Sequence, residues 1–177
     1  ALAHNGNLTN TGDLAELVQK LEPSSGRERG ATTDTEIMTA LISLQNEKNV
    51  EASAMSVLPQ LEGAFSLVFM DEHTLYAARD RHGVRPLVLG KLENGWVVAS
   101  ESAALDIVGA AFVREIEPGE FVAIDATGVR SERWAPAEPK GCLFEYVYLA
   151  RPDTTIAGQG IHATRVRIGE RLAKEAP

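Results

Sequence analysis

A chain of 177 residues, 44% hydrophobic and 24% charged, is long enough to bury the core of one domain, or of one domain with an appended segment. A net charge of −8 and a pI near 5.0 argue against an extended polyanion such as nucleic acid as partner, while a small phosphate pocket stays compatible. One cysteine, Cys142, rules out an internal disulfide and a multi-cysteine metal site within the chain. The four histidines show no HxH or HExxH spacing, so no zinc site is expected. No run of about 18 apolar residues occurs, so no membrane span is expected and the predicted location is cytoplasmic.

In chain order, AHNGNLTN (Ala3–Asn10) sets an Asn-Gly pair between a short apolar run and a helix-like segment. Leu14, Leu17, Val18 and Leu21 then recur at helical spacing, which predicts a helix over 11–21 with Thr11 as its N-cap. Pro23–Ala31 is polar and rich in Gly, Ser and Arg, hence a loop. Thr33-Asp34-Thr35-Glu36 fits a capping box ahead of a second helix, whose Ile37, Ala40, Leu41 and Leu44 share a face. A third helix is predicted over 51–61, with Pro59 near its end.

From Gly63 the period changes from helix to strand. Ala64–Met70 and Thr74–Arg79 read as a hairpin. Arg85–Gly90 and Trp96–Ser100 read as a second, with Asn94-Gly95 as a type I′ turn. Ser102–Gly109 reads as a short helix, and Glu120–Asp125 with Val129–Ala135 as a third hairpin. Helices followed by antiparallel hairpins indicate an α+β architecture of sheet on sheet with helices outside. Cys142–Gly158 is aromatic-rich and then turn-rich, and His162–Glu175 reads as a basic amphipathic helix.

Four places in this outline are candidates for chemistry, each with a bland alternative. Asn5-Gly6 taken alone is a hairpin turn. The functional alternative is a donor pair, the Asn5 amide and the Gly6 N–H, aimed at the oxyanion of an acyl-transfer intermediate. Asp34 is either a helix-start acid favoured by the dipole or a rigid carboxylate that pairs with a ligand ammonium. The Arg-rich stretch Ala78–Gly90 is a solvated loop, in which Asp80 and Arg85 could pair to order the backbone. Cys142 reads as a small buried hydrophobe, since no base or oxyanion donor neighbours it in sequence.

The motifs HNGNLTN, TTDTEI, EGAFSLV, ARDRHGVRPLVLG, VASESAALD, EPGE and FEYVYLARPDT stand here in one fixed order. Over nearly the whole chain they resemble the glutaminase half of the bacterial amidophosphoribosyltransferases, the glutamine-PRPP amidotransferases of purine biosynthesis. Other class II glutamine amidotransferases, such as the glucosamine-6-phosphate synthases, share HNG and the acidic DTE pattern, but FEYVYLARPD favours the first group. The resemblance implies an N-terminal-nucleophile hydrolase fold, a four-layer αββα sandwich. It implies that a cysteine at the mature N-terminus attacks glutamine, with its own α-amine, or a water beside it, as proton acceptor. It implies further that Asn5 and Gly6 form the oxyanion hole and that Asp34 holds the glutamine α-ammonium. Ammonia would then pass to PRPP to give phosphoribosylamine.

The same resemblance sets the expected gaps. The family's nucleophilic cysteine, and the arginine that grips the glutamine carboxylate, stand upstream of HNGN, and Cys142 is internal and has no free amine. The chain begins Ala-Leu-Ala and ends Lys-Glu-Ala-Pro in mid-pattern, so both ends are read as cut. Residues 1–140 are expected to be a glutaminase domain lacking its first strands, and 141–177 a connector and first helix toward a phosphoribosyltransferase domain. The piece alone is expected to be inert and to expose sheet edges, which a companion peptide, a dimer or a rearrangement would cover. The parent is expected to be a homo-oligomer that uses Mg2+ with PRPP. Some members also hold a [4Fe–4S] cluster, with one ligand near the FEY segment, which makes Cys142 a candidate ligand in the parent. The competing readings are the glutaminase domain of another class II amidotransferase, and a non-catalytic module that keeps the fold.

Overall fold

The chain opens with a strand, not a turn: β1 runs Leu2–Leu8 and carries Asn5-Gly6 in its middle. This computed structural model describes residues 1–21 and 33–176, so the loop expected over 23–31 lies outside the described residues. Helices α1 (Thr11–Leu21), α2 (Asp34–Leu44) and α3 (Val50–Val57) follow, then strands β2 (Gly63–Met70) and β3 (Leu75–Arg79). Next come β4 (Val88–Leu92), β5 (Gly95–Ala99), α4 (Ser102–Val108) and β6 (Ala111–Glu115). The hairpin β7 (Glu120–Asp125) and β8 (Gly128–Arg133) precedes a π-helical turn at Glu145–Leu149. Two short strands, β9 (Thr155–Ile156) and β10 (Gln159–Gly160), lead into α5 (Ile161–Glu175).

Two compact units emerge, Ala1–Arg85 with Glu117–Pro139, and Pro86–Ile116 with Lys140–Pro177. The first holds an antiparallel sheet in the order β1-β2-β3-β7-β8. Its register settles which residues share a face. Leu67 pairs with Ala78 and Phe69 with Tyr76 across β2 and β3, and Tyr76 pairs with Ala123 and Ala78 with Phe121 across β3 and β7. On β1 the same face carries Leu2, His4, Gly6 and Leu8, opposite Phe69, Leu67, Phe65 and Gly63. Helix α2 covers that face with Ile37, Met38, Leu41 and Ile42, all of them in the core with Phe65, Leu67 and Phe121. Rings stack within it, Phe69 on Tyr76 at 5.0 Å between centroids.

The capping box at the start of α2 forms as its sequence predicts. The Glu36 amide donates to Thr33 Oγ1 at 3.2 Å, and the Thr33 amide donates to Glu36 Oε2 at 3.2 Å. Thr33→Ala is therefore expected to lower stability by about 1 kcal/mol, read from denaturant unfolding. The buried set differs from the expected Ile37, Ala40, Leu41, Leu44 stripe, because Met38 and Ile42 turn inward and Ala40 is only half-buried. Helix α1 starts at Thr11 itself, one residue earlier than a Thr11 cap requires, and the Asn10 carbonyl accepts the first helical amide, from Leu14. Helix α3 stops at Val57 and gives way to a 3-10 turn over Leu58–Gln60, since Pro59 brings no N–H and clashes with the preceding turn.

The second unit carries the sheet β5-β4-β6, with Val88, Leu105 and Ala110 as its buried centre. The expected I′ turn at Asn94-Gly95 does not form. Leu92 pairs with Gly95, so the two loop residues are Glu93 and Asn94, and neither has the positive φ that type I′ demands. That register sets Lys91 opposite Trp96, with its ammonium 4.2 Å from the ring centroid. Residues from Lys140 onward belong to this unit with 86–116, and Arg165 anchors α5 by donating to the Tyr146 and Ala150 carbonyls at 2.8 Å each. Large exposed apolar residues are frequent here, including Leu143, Phe144, Tyr148 and Leu172.

Candidate functional site

The β1–β2 ladder has its phase fixed at both ends, where Met70 donates to the Ala1 carbonyl at 3.0 Å and Thr9 to the Glu62 carbonyl at 2.8 Å. In an antiparallel ladder bonded and non-bonded pairs alternate, so Ala3, Asn5 and Asn7 bond to β2 while His4, Gly6 and Leu8 turn their backbone groups outward. The Asn5 carbonyl faces Ser66, and the N–H of that same planar peptide unit, which belongs to Gly6, points away from β2. Phe65, opposite Gly6, agrees with this phase. It exchanges its backbone bonds with Asp80 on the other side, donating to Oδ2 at 3.2 Å and accepting from the Asp80 amide at 2.9 Å.

Only glycine fits at position 6. Its φ is +145°, and a Cβ there would lie 1.9 Å from the Ala64 carbonyl oxygen. Gly6 is thus required by a close approach of two strands, and since both residues of the Asn-Gly pair lie within β1 the turn reading is corrected. Asn5 points to the opposite sheet face, is exposed, and accepts a hydrogen bond on Oδ1 from Arg85 Nε at 3.1 Å. Its other amide atom, Nδ2, is a donor.

Asp34 arrives at the same strand edge from α2. Its Oδ2 accepts the Leu8 amide at 2.8 Å, so the carboxylate sits at the outward side of β1. The Leu8 and Gly6 amides are two residues apart on one edge, about 7 Å at the rise of a strand. Asp34 is half-buried and opens α2, where the helix dipole favours its charge. His4 stands beside it: burial pushes the imidazole below its ordinary value, opposed by the Asp34 carboxylate and by a hydrogen bond to the Ala64 backbone. His4 Nε2 is buried and has no hydrogen-bond partner among the described residues. Sequence reasoning overlooked His4 as a neighbour of Asp34; its even position on β1, in phase with Leu2 and Leu8, was the available signal.

The Arg-rich loop is ordered by backbone contacts to Asp80, which is 1% exposed. Besides Phe65, the carboxylate accepts the amides of His82 at 2.8 Å and Val84 at 3.2 Å. Asp80 and Arg81 also line a cavity of about 440 Å³ with Thr9, Glu62, His82 and Trp134. Cys142 is half-buried, between exposed Gly141 and Leu143 just ahead of the π-helical turn, and not the core residue expected. A [4Fe–4S] cluster needs four thiolates and this chain has one. Among the described residues no three His, Cys, Asp or Glu side chains group to hold a metal. These residues alone cannot assemble such a cluster, so no step is assigned to one. No helix among the described residues is long and apolar enough to cross a membrane.

Residues 1–107 match the family model of the glutamine amidotransferase domain. The chain belongs to the glutamine amidotransferase domain family. Its relatives include the amidophosphoribosyltransferases of Mycobacterium leprae, 58% identical, and Mycobacterium tuberculosis, 59% identical, each matched over 100% of this chain. The chain spans about a third of their length, 32% and 34%. Among solved structures, the glutamine PRPP amidotransferase of B. subtilis, described as complexed with ADP and GMP, superposes with a TM-score of 0.92 at 37% identity. That match covers 99% of this chain and 38% of the other. A class-II glutamine amidotransferase domain protein of Silicibacter pomeroyi, at 23% identity and TM-score 0.56 over 76% of this chain and 66% of its own, shares the fold. The amidotransferase domain thus has the N-terminal-nucleophile type of fold, with antiparallel sheets and helices.

Proposed function

We propose that this glutamine amidotransferase domain is the glutaminase part of an amidophosphoribosyltransferase, acting in the first committed step of purine synthesis. A cysteine thiolate from outside these 177 residues attacks the side-chain amide carbon of glutamine. The carbonyl oxygen becomes an oxyanion that accepts hydrogen bonds from Asn5 Nδ2 and the Gly6 N–H. The proton taken from the thiol by the cysteine's own α-amine passes to the departing nitrogen. Collapse then expels ammonia and leaves a thioester, which water cleaves to glutamate and the free thiol. The ammonia displaces pyrophosphate from C1 of PRPP and gives 5-phosphoribosylamine.

The observation that supports this reading best is the shared edge of β1. The Asp34 carboxylate sits on the Leu8 amide, and the Gly6 amide, two residues away, is directed to the same side. A ligand with an ammonium at one end and an amide at the other, separated by an extended short side chain, spans that interval. Glutamine is such a molecule. Identity of 59% to an amidophosphoribosyltransferase over the whole chain supports PRPP as the acceptor. The full-length protein is expected to form phosphoribosylamine from PRPP with either glutamine or ammonia as nitrogen source. Absence of PRPP-dependent product with both sources would overturn the assignment.

A further inference from the structure

Asn5 begins a row of polar residues across three strands. The register pairs Asn5 with Ser66, and Ser66 with Arg79, so the three lie in line on one sheet face. Ser66 and Arg79 are 4% and 5% exposed, and a buried hydroxyl and guanidinium must be hydrogen-bonded to be tolerated there. All three residues engage Arg85. Ser66 Oγ donates to the Arg85 carbonyl at 3.1 Å, and Arg79 Nε donates to the same oxygen at 2.8 Å. Arg79 Nη2 also holds the Gly83 carbonyl at 3.0 Å. The backbone of Arg85 is therefore clamped by two buried donors, and its side chain returns to the head of the row, where Nε donates to Asn5 Oδ1.

That last bond has a direction. A guanidinium has no acceptor, so it can bind only the oxygen of the Asn5 amide, and the amide nitrogen is turned away from Arg85. Asn5 is exposed, and a side chain in that position otherwise samples several rotamers and both amide flips. We propose that Arg85 is a positioning residue that holds the Asn5 amide with its N–H groups toward the developing oxyanion. This rests on the reading of Asn5 as an oxyanion donor. The physical benefit is pre-organisation: a donor already aimed loses no freedom when the charge forms. The clamp explains why the arginine is effective at a distance of 80 residues in sequence, since its anchor is a carbonyl fixed from below by Ser66 and Arg79.

The test is a kinetic cycle in the full-length amidotransferase with Arg85→Ala, Asn5→Ala and the double variant, reading glutamine hydrolysis. Arg85→Ala is expected to lower kcat on the order of tenfold, as misaligned catalytic groups do, and to leave KM within roughly twofold. Arg85→Lys, which keeps a donor, should recover part of that loss. In the Asn5→Ala background, Arg85→Ala should cost nothing further, because its target is gone. Equal losses in both backgrounds, or an unchanged kcat, would overturn the inference and leave Asn5 in its role. A silent Asn5→Ala would instead remove the oxyanion reading itself. If Arg85→Ala does not fold, the same cycle is run with Arg85→Lys, and an additive result there has the same meaning.

Discussion

Asn5→Ala is expected to reduce glutamine-dependent turnover about 10²–10³-fold, the loss typical of removing one oxyanion donor. The effect should fall on kcat, with KM nearly unchanged, because the hydrogen bond to Asn5 Nδ2 reaches full strength only when the carbonyl oxygen carries charge. Structural damage is a poor explanation of such a loss here. Asn5 is exposed, so its truncation opens no cavity, and its backbone bonds to β2 are untouched. The measurement is steady-state glutamine hydrolysis in the full-length enzyme, with thermal unfolding as a control on the fold. A kcat within a few-fold of the parent would remove Asn5 from the mechanism. Gly6 cannot be probed in the same way: its donor is main chain, and any side chain meets the Ala64 carbonyl first.

What could be seen in the sequence and what could not divides along physical lines. Capping at Thr33 and Glu36 is a local interaction across three residues, so the motif alone located α2. The hairpin β2–β3 and the hairpin β7–β8 followed from alternating apolar residues next to turn signals. Strand β1 was hidden because LAHNGNL holds two asparagines and a glycine, residues of low strand propensity, and pairs with β2 about 60 residues away. Its core-facing positions do alternate, but with His4 and Gly6 between Leu2 and Leu8 the pattern is weak. Strand β6 (AFVRE) was likewise passed over; it is short, with Phe112 and Val113 exposed rather than alternately buried. The roles of Asp80 and Arg85 were beyond local reading. Both act on partners set by tertiary structure, Asp80 on the Phe65 amide and Arg85 on Asn5. The sequence offers Asn5, Gly6 and Asp34 as candidates and the resemblance decides their roles. The ladder phase adds what both lack, a physical reason why Asp34 and the Gly6 amide address the same edge.

Asp34→Asn separates binding from chemistry. The amide oxygen of asparagine can still accept the Leu8 N–H, so the link between α2 and β1 survives while the negative charge is lost. A charge-assisted hydrogen bond to an ammonium contributes about 1.5–3 kcal/mol, which corresponds to a KM for glutamine raised roughly 10- to 150-fold. The change in kcat should be small, since the α-ammonium carries the same charge in the ground and transition states. Synthesis driven by added ammonia bypasses the glutamine site and should keep its rate. The helix dipole adds a separate, smaller consequence: a first-turn carboxylate stabilises α2 by about 0.3–1 kcal/mol, so a slight loss of thermal stability is expected in addition. Glutamine and ammonia kinetics on the one variant decide the matter. A raised KM with intact ammonia-driven synthesis assigns Asp34 to the ligand, whereas an equal fall in both activities assigns it to the Leu8 contact and the fold.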